Sequence, residues 1–166
     1  YFLLTHLLLP SLKAAPNARV VSVSSAAHFQ GKLDFANLQG EQKYSGWRAY
    51  GDSKLENVLF TFALARRLAG TNVTANCLHP GFVKTGFADG NNDWIGRIFG
   101  IAKNLFAIPV EAGAKTMIYL ASSPDVAGVT GKYFDKSKAV NSSAASLDQA
   151  VQERLWTHSE KLSGLS

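Results

Sequence analysis

An alternation of strand, helix and strand most constrains what this chain can fold into. The β-branched run at 18–24 follows a Pro-Asn breaker and is typical of a buried strand, and the apolar run at 73–78 predicts a second one. Between them, the apolar residues of 49–68 recur at helical spacing and stop before Gly70. This order predicts an α/β protein.

Tyr50 and Lys54 lie one turn apart in the predicted helix. Residues four apart share a helix face, so we expect the phenol and the ammonium about 5 Å apart. At an effective dielectric of about 20, the attraction is of order 3 kcal/mol and lowers the phenol pKa from about 10 by roughly two units. The pair therefore suits proton exchange with an alcohol or carbonyl oxygen. Taken alone it is a weak motif, since surface tyrosine and lysine pairs share this spacing.

Two loops are predicted to lie beside Tyr50 and Lys54. Ser25 follows the first strand, and the turn at Pro80 and Gly81 stops the second strand just before Thr85. Ligands of open α/β sheets bind beyond the carboxyl ends of strands. We therefore expect one crevice, in which the Ser25 hydroxyl holds the substrate oxygen while the proton moves.

Together these motifs resemble those of the short-chain dehydrogenase/reductase family, and their wording is similar to that of its retinol dehydrogenase-like branch. The similarity runs from Phe2 to about Leu162, over nearly the whole chain. It rests on Val20 to Ser25, Tyr50-x-x-x-Lys54 and Pro80-Gly81-x-Val83-x-Thr85, and on shorter matches at 2–10, 53–60, 79–81 and 131–134. The resemblance implies a Rossmann-type, doubly wound parallel sheet.

The resemblance also implies a role for each matching residue. Tyr50 would be the catalytic acid/base, Ser25 would position the substrate oxygen, and Lys54 would lower the tyrosine pKa and bind the nicotinamide ribose; Ser24 would be a loop residue. The cofactor-binding residues would be Tyr50, Lys54, Pro80, Gly81, Val83 and Thr85. NADP(H) is favoured by the resemblance, and NAD(H) stays open.

The family's glycine-rich phosphate-binding motif and its catalytic asparagine do not occur in the 166 residues. Only about three strands are predicted, roughly half of what a doubly wound sheet uses. We therefore expect residues 1–166 to be the C-terminal part of a single Rossmann domain. In isolation, we expect that part to be inactive and prone to aggregation.

The resemblance implies that the region at 86–109 covers the substrate. A turn-rich stretch at 86–93 is followed by an apolar stripe at helical spacing, formed by Trp94, Ile95, Ile98, Ile101, Ala102, Leu105 and Phe106. Such a segment suits a small hydrophobic alcohol or carbonyl substrate. An ordinary core helix and a membrane-surface helix are the alternatives.

Elsewhere the patterns predict mainly structural elements. Helices are expected at 1–14, 110–121 and 146–162, a last short strand at 131–134, and a small-residue loop at 142–146. The last helix is expected to pack through Ala150, Val151, Leu155, Trp156 and Leu162. His28 is interpreted as a loop residue or a border of the substrate pocket, and His79 as structural.

Composition favours a globular enzyme, with 46% hydrophobic and 17% charged residues. Cys77, the sole cysteine, excludes a disulfide framework and is predicted to be buried. The net charge of +5 comes from scattered lysines and arginines, which argues against nucleic-acid binding. No run reaches the ~20 apolar residues of a membrane span. The composition is typical of a cytosolic α/β enzyme, so we expect a cytoplasmic protein, with membrane association still open.

The sequence therefore predicts an oxidoreductase that transfers a hydride between NADP(H) or NAD(H) and a hydrophobic alcohol or carbonyl compound, without a metal. One alternative is an inactive scaffold that binds a partner or forms a homodimer through the 49–68 helix. A serine hydrolase is a weaker alternative, because no G-x-S-x-G surrounds Ser25 or Ser53.

Overall fold

The computed structural model describes residues 1–81 and 108–165, which form an α/β domain. Its helices are α1 (Phe2–Ala14), α2 (Gly46–Arg67), α3 (Val110–Ser122), α4 (Ala144–Leu147) and α5 (Gln149–Ser163). Its strands are β1 (Arg19–Val23), β2 (Thr74–Leu78), β3 (Tyr133–Asp135) and β4 (Lys138–Val140). Short 3-10 helices lie at Ala26–Gln30 and Pro124–Val126.

The described strands form one sheet in the order β1, β2, β3, β4. Strands β1 and β2 pair in parallel from Arg19 opposite Thr74 to Val23 opposite Leu78, and β3 continues the parallel sheet beside β2. The three predicted strands are thereby confirmed, with boundaries shifted by one or two residues. A fourth strand, β4, was not predicted and pairs antiparallel with β3.

Helices cover both faces of this sheet, as a doubly wound fold requires. On one face, α1, α2 and α5 pack around Ala63, Ala75 and Trp156. On the other, Leu120 of α3 packs against Leu78 and Phe134. The alternation of side chains along each strand supplies both contact surfaces. The predicted α/β fold class is confirmed.

Helix α2 begins at Gly46, three residues before its predicted start, because the Ala49 N–H donates to the Ser45 carbonyl at 2.8 Å. The helix is covered by the sheet and by α5, and Val58, Leu59 and Ala63 are 0% exposed. Cys77 of β2 is likewise buried, as predicted, and burial raises the pKa of its thiol.

Helix α1 is only half covered. Phe2, Leu9 and Leu12 pack against the cluster formed by α2, β2 and α5. Leu4 and Leu7 are 63% and 65% exposed, and no residue of α1 is buried. The expected helix is present, yet its apolar residues extend beyond the face that the described core covers. In the described residues, no helix is both long and apolar enough to cross a membrane.

The predicted last helix is two helices, and α4 replaces most of the loop expected at 142–146. The break lies at Asp148, whose Oδ1 accepts the Ala150 N–H at 2.9 Å and the Val151 N–H at 3.2 Å and so caps α5. Leu155 and Trp156 are buried as predicted, but Ala150 and Leu162 are exposed. Polar contacts join α5 to α2, among them the ion pairs of Glu153 with Arg66 and Arg67 and the hydrogen bond from Arg66 to the side-chain oxygen of Gln152.

Candidate active site

The site begins where β1 and β2 end side by side. Val23 pairs with Leu78, and the Ser24 N–H donates to the Leu78 carbonyl at 2.7 Å. The chain segments that follow, one starting at Ser24 and the other at His79, therefore leave the sheet at the same edge. This edge is the carboxyl end of parallel strands, where ligands of such sheets bind.

The two adjacent serines differ in what they contact. Ser24 is buried, and its hydroxyl donates to the Lys54 carbonyl at 2.7 Å. Ser25 is partly exposed, begins the 3-10 helix and accepts the Ala27 N–H on Oγ at 3.2 Å. Ser24 thus anchors the loop to α2, whereas Ser25 keeps the accessible hydroxyl.

Tyr50 and Lys54 lie on one face of α2, as their spacing predicts. The Lys54 ammonium lies 5.4 Å from the centroid of the Tyr50 ring, and both side chains are half-buried. Burial lowers the pKa of Lys54, because the partial removal of water disfavours its charge. A cation this close to the ring is available to stabilise a phenolate.

Close backbone packing joins this turn of α2 to the Ser25 loop. A Cβ on Gly31 would lie 2.7 Å from the Gly51 carbonyl oxygen, and a Cβ on Gly51 would lie 3.3 Å from the Ala27 carbonyl oxygen. Asn57 adds a hydrogen bond from its side-chain amide to the Val23 carbonyl at 3.1 Å. The elements that carry Ser25, Tyr50 and Lys54 are thereby brought together. The glycines at 31 and 51 were not singled out in the sequence, although their absent side chains permit this approach.

The turn at Pro80 and Gly81 follows β2 at the same edge. Gly81 has a φ of +82°, and a Cβ there would lie 2.9 Å from Ile108 Cδ1, so both conformation and space favour glycine. His79 fixes the turn, because its Nδ1 accepts the Gly81 N–H at 3.1 Å and its Nε2 lies 3.2 Å from Asp135 Oδ1. The structural role predicted for His79 agrees with these contacts.

Several predicted residues lie outside the described residues. These are Val83, Thr85 and, in the substrate-covering segment at 86–109, all residues except Ile108 and Pro109.

His28 is the residue that sequence reasoning placed least well. It is buried, between the rings of Phe29 and Tyr133 at centroid distances of 4.1 and 4.7 Å. Burial lowers the pKa of His28, His79 lowers it further, and the hydrogen bond to Ser25 opposes both effects. Its position three residues after Ser25 was the only signal in the sequence.

Glu56 is a second titratable group that the sequence did not indicate. Burial raises its pKa to about 7, with a further contribution from the neighbouring charge of Asp52. Both carboxyls line a cavity of about 500 Å³ between the first turns of α2 and the preceding loop. In the part of the chain that the structure describes, no group of three or more His, Cys, Asp or Glu side chains could hold a metal ion.

Comparison with known protein families supports the resemblance seen in the motifs. The sequence model described as short chain dehydrogenase matches residues 1–96. Human "Retinol dehydrogenase 14" is 46% identical over 170 residues, and mouse "Retinol dehydrogenase 12" is 41% identical over 165 residues. Each comparison covers 99% of this chain but only 50% and 52% of the relative, so the chain spans about half the length of these proteins.

Solved structures show the same similarity in three dimensions. An uncharacterized protein from Mycobacterium paratuberculosis superposes with a TM-score of 0.71 and 32% identity, over 97% of this chain and 54% of the other. A short chain dehydrogenase from Salmonella enterica superposes with a TM-score of 0.55 over 81% of this chain and 47% of its own. At 23% identity, the latter similarity shows the fold alone.

Proposed function

Because the chain belongs to the short-chain dehydrogenase family, we propose that it forms the catalytic part of a nicotinamide-dependent oxidoreductase. The reaction is oxidation of an alcohol or reduction of a carbonyl group on a small hydrophobic molecule. A nicotinamide cofactor, when bound, accepts or supplies the hydride. The observation that carries this proposal is the Lys54 ammonium, 5.4 Å from the Tyr50 ring, on the turn of α2 that is packed against the Ser25 loop.

The described residues fit such a cofactor. Lys54 supplies a cation for ribose hydroxyls beside the phenol. The Pro80 and Gly81 turn follows β2 at the carboxyl edge of the sheet, where ligands of such sheets bind. Val83 and Thr85 complete the proposed set. NADP(H) is the favoured form, on the resemblance to the retinol dehydrogenase-like branch.

In this proposal, each side chain has one task at the substrate oxygen. Ser25 donates a hydrogen bond to that oxygen and holds it in place. During alcohol oxidation, Tyr50 as phenolate takes the hydroxyl proton while hydride leaves the carbon; during carbonyl reduction, it returns that proton. Lys54 stabilises the phenolate by its charge, which makes the proton transfer accessible near neutral pH.

The hydrophobic character of the substrate rests on two observations. The curated relatives reported above carry the name retinol dehydrogenase. The sequence at 86–109 has an apolar stripe that suits a nonpolar ligand.

Replacement of Tyr50 by Phe in the full-length protein tests the proposal. This variant removes only the hydroxyl, so we expect kcat to fall at least about 100-fold with an unchanged thermal midpoint. Tyr44→Phe is the matched control, because Tyr44 is 76% exposed, and we expect it to keep wild-type turnover. The measurement is NADPH- and NADH-dependent reduction of a panel of hydrophobic aldehydes and ketones. Undiminished turnover by Tyr50→Phe contradicts the catalytic assignment, and no turnover by the wild type favours an inactive scaffold.

A further inference from the structure

His28 contacts two segments that are far apart in the sequence. Its Nδ1 lies 2.7 Å from the Ser25 carbonyl oxygen, and its Nε2 lies 3.1 Å from the backbone nitrogen of Ser143, which is 115 residues away. The side chain is 0% exposed. The contacts therefore belong to the interior of the protein and join the loop after β1 to the start of α4.

These partners determine where the imidazole carries its proton. A carbonyl oxygen only accepts, so Nδ1 must donate; a backbone N–H only donates, so Nε2 must accept. His28 is therefore the neutral tautomer with hydrogen on Nδ1. Both ring nitrogens have a partner, and the rings of Phe29 and Tyr133 fix the plane of the imidazole.

Ser25 is held at several points by this arrangement. Its carbonyl accepts from His28 Nδ1 and also from the His28 backbone N–H at 3.1 Å, while its Oγ accepts the Ala27 N–H. A backbone fixed in this way fixes the Cα to Cβ bond of Ser25, and the hydrogen bond from the Ala27 N–H fixes the position of Oγ about that bond.

The other end of the chain of contacts is equally well supported. The Ser143 carbonyl accepts from the Ser146 N–H at 3.0 Å and from the Ser146 hydroxyl at 2.6 Å. The Ser146 carbonyl in turn accepts from Gln152 Nε2 at 2.7 Å, and both residues are buried. A continuous hydrogen-bonded path therefore runs from α5 through Ser143 and His28 to Ser25.

We propose that His28 is a positioning residue, which aligns Ser25 for catalysis by coupling its loop to the Ser143 backbone. This inference rests on the proposed function, because it assigns Ser25 to the substrate oxygen. It makes the segment after β4 a support of the catalytic site, although that segment supplies no group to the reaction.

Ser143→Pro in the full-length protein tests the coupling by removing the single N–H that His28 accepts. The φ of Ser143 is −63°, which proline adopts without strain, and its carbonyl contacts with Ser146 remain. Ser143→Ala is the matched comparison, since it keeps the N–H. We expect kcat of Ser143→Pro to be about tenfold below that of Ser143→Ala, with KM for NADPH within about twofold.

The same pair in a Ser25→Ala background separates positioning from general structural damage. If the path acts through Ser25, the difference between Pro and Ala at position 143 falls below about twofold when the Ser25 hydroxyl is absent. An equal difference in both backgrounds overturns the proposal, and so does an absence of any difference while the wild type is active.

Two further measurements keep the proposal testable. Should Ser143→Pro not fold, His28→Asn is compared with His28→Ala, because asparagine retains a donor near the Nδ1 position; equal kcat values overturn the role of the Ser25 contact.

Hydrogen exchange of residues 24–30 is also measured, and we expect it to be faster in Ser143→Pro than in Ser143→Ala. Absence of turnover by the wild type would overturn the proposed function, and with it the catalytic role of His28. Exchange would still decide whether the path holds the loop, and equal exchange in the two variants would overturn that coupling.

Discussion

The two halves of α2 differ sharply although they form one continuous helix. The first half, 46–56, carries Tyr50, Lys54 and Glu56, and only Gly51 and Leu55 are buried there. The second half, 57–67, is mostly buried between the sheet and α5, through Val58, Leu59, Phe60, Thr61, Ala63, Leu64 and Ala65.

The position along the sheet explains this difference. The first half contacts the loop beyond the carboxyl end of β1, where polar and ionisable side chains remain near solvent. The second half lies across the body of the sheet, where only apolar or hydrogen-bonded groups are stable. The buried second half of α2 (57–67, the anchor) therefore holds the first half (46–56, the functional half), which carries the proposed catalytic residues Tyr50 and Lys54.

Leu59→Ala truncates a buried side chain of the anchor and has the largest expected effect. Leu59 is fully buried and packs with Leu55 and Leu155, so its truncation leaves a cavity and costs about 3 kcal/mol of unfolding free energy. Leu7→Ala, at an exposed position of α1, is the matched control and should cost less than about 0.5 kcal/mol. Urea unfolding measures both, and comparable losses in the two variants would contradict the division of α2 into an anchor and a functional half.

Lys54→Met removes a charge from the functional half and should leave the packing of the anchor unchanged. Loss of the charge beside Tyr50 should lower kcat/KM for alcohol oxidation at pH 7 about 100-fold, or about 2.7 kcal/mol. Steady-state kinetics at pH 7 measure the loss, with Lys43→Met in the preceding loop as the control. Equal kcat/KM values in the two variants would contradict the proposed role of Lys54.

Glu56→Gln sharpens the comparison by removing an unfavourable charge from the functional half. The folded pKa of about 7 lies above the ordinary glutamate value of about 4.5, so the stability that protonated Glu56 contributes is present below about pH 4.5 and lost as the pH rises to about 7. Glutamine stays neutral, and we expect the variant to be about 2 kcal/mol more stable than the wild type at pH 8 but equal to it at pH 4.

Urea unfolding at both pH values measures the effect of Glu56→Gln. Glu41→Gln, in an exposed part of the loop, serves as the control. A gain that is the same at pH 4 and pH 8 would exclude the buried charge as its cause.

Much of this architecture could be predicted because it depends on neighbours in the sequence. The helical period of α2, the β-branched run of β1 and the one-turn spacing of Tyr50 and Lys54 are all local signals. Strand β4 lacked such a signal. Its two-residue turn has Lys136 and Ser137 at φ values of 48° and 61°, where asparagine and glycine are the residues that normally indicate a hairpin.

The parts of the site that were not predicted depend on distant contacts. The role of His28 follows from Ser143, which lies 115 residues away, and no periodicity announces that contact. The raised pKa of Glu56 follows from burial beneath a loop of irregular conformation. Sequence patterns therefore indicated the proposed catalytic residues but not the residues that pack around them.

The buried thiol of Cys77 can report on unfolding. Cys77 is the sole cysteine and is 0% exposed, and burial raises the pKa of its thiol, so the native state presents no thiolate to an alkylating reagent. This thiol can be modified only after β2 separates from α2 and β3. The rate of this modification in each variant therefore reports how often the structure opens, without an introduced cysteine.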